Sequence, residues 1–187
     1  MTAARLPSDD EVLQSFGLID SRRGAGTGRS LLLILRDRLA GELLGDADRV
    51  GATLADEFEL VTLANGARTV TGRDQLVGSI RAQSELVGGA LMWMDLEDLV
   101  VDTSAIAGRG RLQTLLTAAG AAARGHDDIG QGDLCVTSLP LAFFLRFDRG
   151  LMASEVIYVD PASTEVAVVP GGAMPSVNRL RTLVDEA

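Results

Sequence analysis

The apolar positions of this chain change their spacing several times, and each change marks a new kind of element. From Arg29 to Leu44 leucines recur every three or four residues. That spacing stacks Leu32, Leu35, Leu39 and Leu43 on one face of a helix and leaves Arg36 and Arg38 off the stripe. Gly45 ends this helix, and Asp46 can cap a second one, about Ala47 to Ala55, that buries Val50 and Leu54. The spacing then shortens. Phe58 to Leu63 reads as a strand, Asn65-Gly66 as a tight turn of residues that tolerate positive φ, and Arg68 to Thr71 as the returning strand. Helical spacing comes back over Asp74 to Leu86, with Leu76, Ile80 and Val87 on one side, and Gly88-Gly89 stops it.

The remainder reads mostly as strands. Leu91 to Val101 alternates Met92, Met94 and Leu96 against Trp93, Asp95 and Glu97. Ala105 to Thr117 alternates Arg109, Arg111 and Gln113 against Leu112 and Leu116. Leu134 to Phe147 is apolar on both faces, which predicts a central strand covered on both sides. Met152 to Val159 and Glu165 to Val169 follow. Ala118 to Gly132, rich in Ala and Gly, reads as a mobile loop, and Ser176 as the cap of a last short helix carrying Leu180, Leu183 and Val184. Ahead of the first long helix lie a loose leader over residues 1–10, a short helix over Glu11 to Ile19 and the glycine-rich Ser21 to Gly28. The predicted organisation is an N-terminal appendage and linker over 1–28 and one domain over 29–187. Helices and strands are segregated, so the fold class is α+β.

Composition narrows the function. Aromatic residues make up only 4% of the chain, so the core rests on Leu, Val, Ile and Ala. A formal net charge of −9 argues against nonspecific binding to nucleic acid or to anionic membranes. The basic residues are all arginine, which excludes a Schiff-base lysine and a P-loop lysine. Cys135 and His126 are each the single residue of their kind; this excludes an intrachain disulfide and His/Cys zinc clusters, and it fits a reducing cytoplasm. The first ten residues show no charged segment leading into an apolar one, so no signal peptide is expected there. The longest aliphatic run, Leu31 to Leu35, is too short to span a bilayer.

The order of elements, with Leu54-Ala-Asp-Glu-Phe58 opening the first strand and Val70-Thr-Gly-Arg-Asp74 opening the third helix, resembles the nuclear-transport-factor-2-like superfamily. Leu145-Arg-Phe-Asp-Arg-Gly150 and Glu155-Val-Ile-Tyr-Val-Asp160 resemble its last hairpin. The resemblance spans about Arg29 to Pro161. It implies a cone-shaped domain, a curved and mostly antiparallel sheet against N-terminal helices around an apolar pocket, of the kind found in SnoaL-like polyketide cyclases and ketosteroid isomerases. It also implies where catalytic groups would stand. The isomerase base position matches Thr62, and the isomerase's second acid falls on Leu141 to Leu145. The Asp-Arg-Asp triad of limonene epoxide hydrolases matches Gly110, Leu112 and Ile157. Neither catalytic set is present.

If Thr62 and Ile157 face the pocket, so do Leu60, Phe143, Leu145 and Glu155, with Met94 and Leu112 on the neighbouring strands. Glu155 is then the one ionisable residue on that wall. A carboxylate against aliphatic groups has a raised pKa and can move protons near neutral pH, whereas at the open end of the strand it is simply solvated. Tyr158 and Asp160 fall on the opposite face, as sheet packing and turn start or as a dimer contact. His126-Asp-Asp128 reads as a solvated loop, as a base with an orienting carboxylate or as part of a metal site. Gly24 to Ser30 is better explained as a linker than as a phosphate loop, Met92, Trp93 and Met94 as core, and Cys135 as a small buried hydrophobe. Two functions fit. One is a pocket protein for an uncharged apolar small molecule, either a ligand carrier or an isomerase, cyclase or dehydratase with Glu155 catalytic, and no metal or other cofactor. The other is a non-catalytic dimerisation or protein-interaction module. A homodimer through the sheet is expected, because the outer face of Leu134 to Phe147 needs cover.

Overall fold

Local signals along the chain start and stop the elements. Ser8 caps α1 (Asp9–Val12) in a reciprocal capping box with Glu11, and α2 (Gln14–Arg23) follows at once. The leucine-rich α3 (Arg29–Leu44) stops at Gly45, which sits at φ 64°. Asp46 then accepts from the Arg49 amide to start α4 (Ala47–Ala52). Asn65 at φ 49° and Gly66 at φ 77° turn β1 (Leu54–Ala64) into β2 (Ala67–Gly72), the left-handed pair that a two-residue hairpin demands. The computed structural model describes residues 5–23, 28–85 and 91–186. Ser21 to Arg23, expected in the glycine-rich linker, complete α2 instead, while residues 24–27 of the linker and the Gly88-Gly89 stop lie outside the described residues.

After α5 (Arg73–Glu85) come β3 (Leu91–Val101), β4 (Ala105–Thr117), a short α6 (Ala118–Ala122), β5 (Leu134–Asp148), β6 (Leu151–Val159), a 3₁₀ turn at Pro161–Ser163, β7 (Glu165–Val169) and α7 (Val177–Glu186). The strands make one seven-stranded curved sheet in the order β2-β1-β6-β5-β4-β3, with β7 pairing the first half of β5. Every pairing is antiparallel except β1 with β6, which run parallel. The class is α+β, as the segregated pattern predicts.

Several elements depart from the sequence reading. The strand expected from Phe58 begins at Leu54, because α4 ends at Ala52 and the Thr53 carbonyl already accepts from the Met152 amide at 2.9 Å. The expected loop after Thr117 opens as a helix, since the Thr117 hydroxyl accepts from the Gly120 amide. Strand β5 is central, but only its first half is covered on both sides, where Leu134 and Cys135 are both buried. From Leu141 to Asp148 buried and exposed residues alternate, and Ala142, Phe144 and Arg146 stay open.

One core joins the helices to the sheet. Val12, Phe16 and Ile19 of the first two helices belong to it together with Leu35, Leu39, Phe58, Phe143 and Leu145. No helix among the described residues is long and apolar enough to cross a membrane.

Candidate functional site

Glu155 stands in the middle of the sheet. Leu60 of β1 is its register partner on one side and Leu145 of β5 on the other. One residue pair further along, Thr62, Ile157 and Phe143 form the next row on the same face. Met94 and Leu112 pair across β3 and β4. A narrow cavity lies between this face and α3, walled by Leu35, Leu39, Met94, Leu96, Phe143, Leu145 and Met152, with Glu155 at its edge. Leu60, Thr62, Leu112 and Ile157 are half-buried and do not line it. The free space is about 20 Å³, enough for one water-sized occupant.

Helix α3 sends two charged residues into this space. Residues 35, 38, 39 and 42 share one side of a helix, so Arg38 and Glu42 project with Leu35 and Leu39. The Arg38 side chain is only 5% exposed and that of Glu155 13%. Arg38 Nε and Nη2 both donate to Glu42 Oε1, at 3.0 and 2.7 Å. The same Nη2 lies 3.4 Å from Glu155 Oε2, at the outer limit of a hydrogen bond. Arg38 Nη1 is buried and has no partner among the described residues.

The electrostatics follow from that geometry. Burial pushes the Glu155 carboxyl up to about 7; Arg38 pulls it down and Glu42 pushes it further up. Burial works against the charge of Arg38, but Glu42 and Glu155 outweigh it, so the guanidinium stays charged. Two carboxylates therefore share one cation, and the one held at a distance is the one that titrates near neutrality. Such a group can accept and return a proton, which is what a general acid–base needs.

Arg38 and Glu42 do not emerge from a reading that assigns the apolar stripe to leucines alone. The signal was an Arg-Glu pair four residues apart, set between Leu35 and Leu43. The other candidates fall elsewhere. His126 is half-buried after α6, and its amide donates to the Ala121 carbonyl. No group of three potential metal ligands comes together among the described residues. Tyr158 is exposed on the opposite face, and Asp160 caps the Pro161–Ser163 turn through the Ala162 amide. Cys135 is buried, which pushes its thiol up.

No protein-family model matches the chain, and no curated protein matches it by sequence. Solved structures do match in shape. A SnoaL-like polyketide cyclase candidate from Shewanella denitrificans OS-217 superposes with a TM-score of 0.55 at 12% identity, over 70% of this chain and 90% of its own. The chain has the nuclear-transport-factor-2-like fold. An LEH-like epoxide hydrolase of M. tuberculosis (TM-score 0.50, 16% identity, 71% of this chain and 84% of its own) shares it. So does a ketosteroid isomerase-like protein from Catenulispora acidiphila DSM 44928, solved with trimethylamine (TM-score 0.50, 16% identity, 70% and 87%). At these identities the likeness concerns the fold alone. A Cβ at Gly110 would collide with the Asp95 carbonyl oxygen, so no side chain fits there without moving β3.

Proposed function

We propose that the protein binds an uncharged, largely apolar small molecule between α3 and the sheet. Glu155 moves a proton to or from it, in a reaction of the isomerase, cyclase or dehydratase kind. The observation that carries this reading is a carboxyl buried among Met94, Phe143 and Leu145, 3.4 Å from a guanidinium already committed to Glu42; burial pushes it up to about 7. Leu60, Thr62, Leu112 and Ile157, half-buried beside this space, would join its wall once it widens around a ligand. Arg38 Nη1 offers a donor to one acceptor atom of the ligand. Fold neighbours described as a cyclase candidate and an epoxide hydrolase support a pocket-bearing enzyme. A ligand larger than water requires Leu35, Leu39 and Met94 to move apart.

That small free space favours a second reading, a non-catalytic dimerisation or interaction module. Its surface would be the open sheet face, where Val70, Val61, Val156, Phe144, Ala107 and Val100 form one cross-strand row. In either reading the chain forms a homodimer through that face. The test is a panel of neutral apolar ketones, lactones and epoxides, followed by mass spectrometry for turnover and for binding. Glu155→Gln is expected to keep affinity for any compound turned over and to lower its rate by about 100-fold or more, because the amide keeps the shape but cannot exchange the proton. Unchanged turnover removes Glu155 from the chemistry, and no binding by any compound leaves the interaction module.

A further inference from the structure

Of the three members of the buried cluster, Glu42 has no role in the reaction described above, yet it makes the shortest contacts. Its Oε1 takes both Arg38 Nε and Nη2, at 3.0 and 2.7 Å, within the range of a charge-assisted hydrogen bond. Glu155 is left with a single approach at 3.4 Å. Arg38 and Glu42 lie four residues apart on one helix, so the helix itself fixes how far the guanidinium can swing. Among the described residues no other charged group acts on Glu155: its register neighbours are Leu60 and Leu145, and the facing residues of β3 are Met94 and Leu96.

A guanidinium free to close on Glu155 would make a strong paired contact and hold that carboxylate ionised, useless for returning a proton. We infer that Glu42 is a positioning residue: it holds Arg38 back from Glu155, so that Glu155 keeps an exchangeable proton and Nη1 stays available to a ligand. The inference rests on the reading of Glu155 as the proton carrier. It assigns Glu42 an action through Arg38 rather than on the ligand.

Charge and position can be separated. Glu42→Asp keeps the charge but shortens the side chain by one methylene, so it cannot hold the guanidinium in the same place. Glu42→Gln removes the charge as well. The measurement is a ¹³C NMR titration of the Glu155 carboxyl in the full chain, assigned by loss of the signal in Glu155→Gln. Wild type is expected to titrate at about 7. Glu42→Asp should fall by about one unit as Arg38 closes on Glu155, and Glu42→Gln should fall further. If Glu42→Asp titrates like wild type, Glu42 acts by charge alone and the positioning inference is overturned. If wild type itself titrates as an ordinary glutamate, the proton-carrier reading fails first. Should Glu42→Asp not fold, Arg38 Nε in wild type still decides. Its N–H should resist solvent exchange on both sides of the Glu155 midpoint, and exchange that follows the midpoint contradicts the hold.

Discussion

Glu155 and Val156 are neighbours on one strand, and each sits where the other's chemistry would be expected. The carboxylate points into the core with Arg38 and Glu42. Val156 lies on the open face with Phe144, which is 42% exposed, and Val100, which is 67% exposed. Single exposed apolar residues are ordinary, but an apolar row across six strands, with Val70, Phe144 and Val100 exposed and Val61, Val156 and Ala107 half-buried, is not, and neither is a buried set of two carboxylates and one guanidinium. Burial of apolar surface explains neither face. The inner inversion costs stability and creates a titrating group. The outer one leaves area that a second surface could cover. The same alternation of β5 and β6 supplies both, because successive residues point to opposite faces.

The comparison can be broken most severely at Arg38. Replacing it by Met leaves Glu42 and Glu155 buried without a cation, and a broken buried ion pair typically costs about 3–5 kcal/mol. Urea unfolding at neutral pH should show a loss of that order, smaller in acid, where Glu155 is already protonated. An unchanged midpoint would mean that the cluster is hydrated rather than buried.

A slightly smaller effect, of opposite sign, is expected from Glu155→Gln. The folded value of about 7 lies above the free value of 4.5, so the fold prefers the protonated form. The stabilising proton is fully in place below about pH 4.5, and its benefit is lost as pH rises through about 7. There the unfolded chain ionises freely while the fold must bury the charge. The difference amounts to about 3 kcal/mol. Glutamine does not titrate, so the variant should gain about that much on wild type between acid and about pH 8. A gap independent of pH would show that Glu155 titrates alike in both states.

The smallest stability change belongs to the open face. Phe144→Arg should alter monomer stability by no more than about 0.5 kcal/mol, since the side chain already meets solvent. It should nevertheless convert a homodimer into a monomer in sedimentation. A wild-type chain that is monomeric at micromolar concentration would remove the dimer proposal outright.

The fold was legible where one face of an element is buried and the other is not. The bounds of α3 follow from the three- and four-residue spacing of its leucines and from Gly45, those of β3 and β4 from their β-prone runs, and the Asn65-Gly66 turn from its chemistry. That Glu155 and Ile157 share a face follows from the period of two, whereas Thr62 was placed beside them by the family resemblance. The parallel pairing of β1 with β6 has no local signal, because it depends on where distant strands dock. Arg38 and Glu42 were hidden for another reason. Helix α3 is buried around most of its girth, including Ala40, Gly41 and Leu44, so an apolar stripe does not mark the only side turned inward.

The sequence distances inside the cluster carry a consequence for the order of assembly. Arg38 and Glu42 are four residues apart, whereas Arg38 and Glu155 are separated by 117. The first contact needs only a formed helix; the second needs nearly the whole sheet, and closing so long a loop comes late. On that order the guanidinium would enter the collapsing chain already escorted by Glu42 and would not lose its water without an anion beside it, and Glu155 would meet a counter-ion already taken.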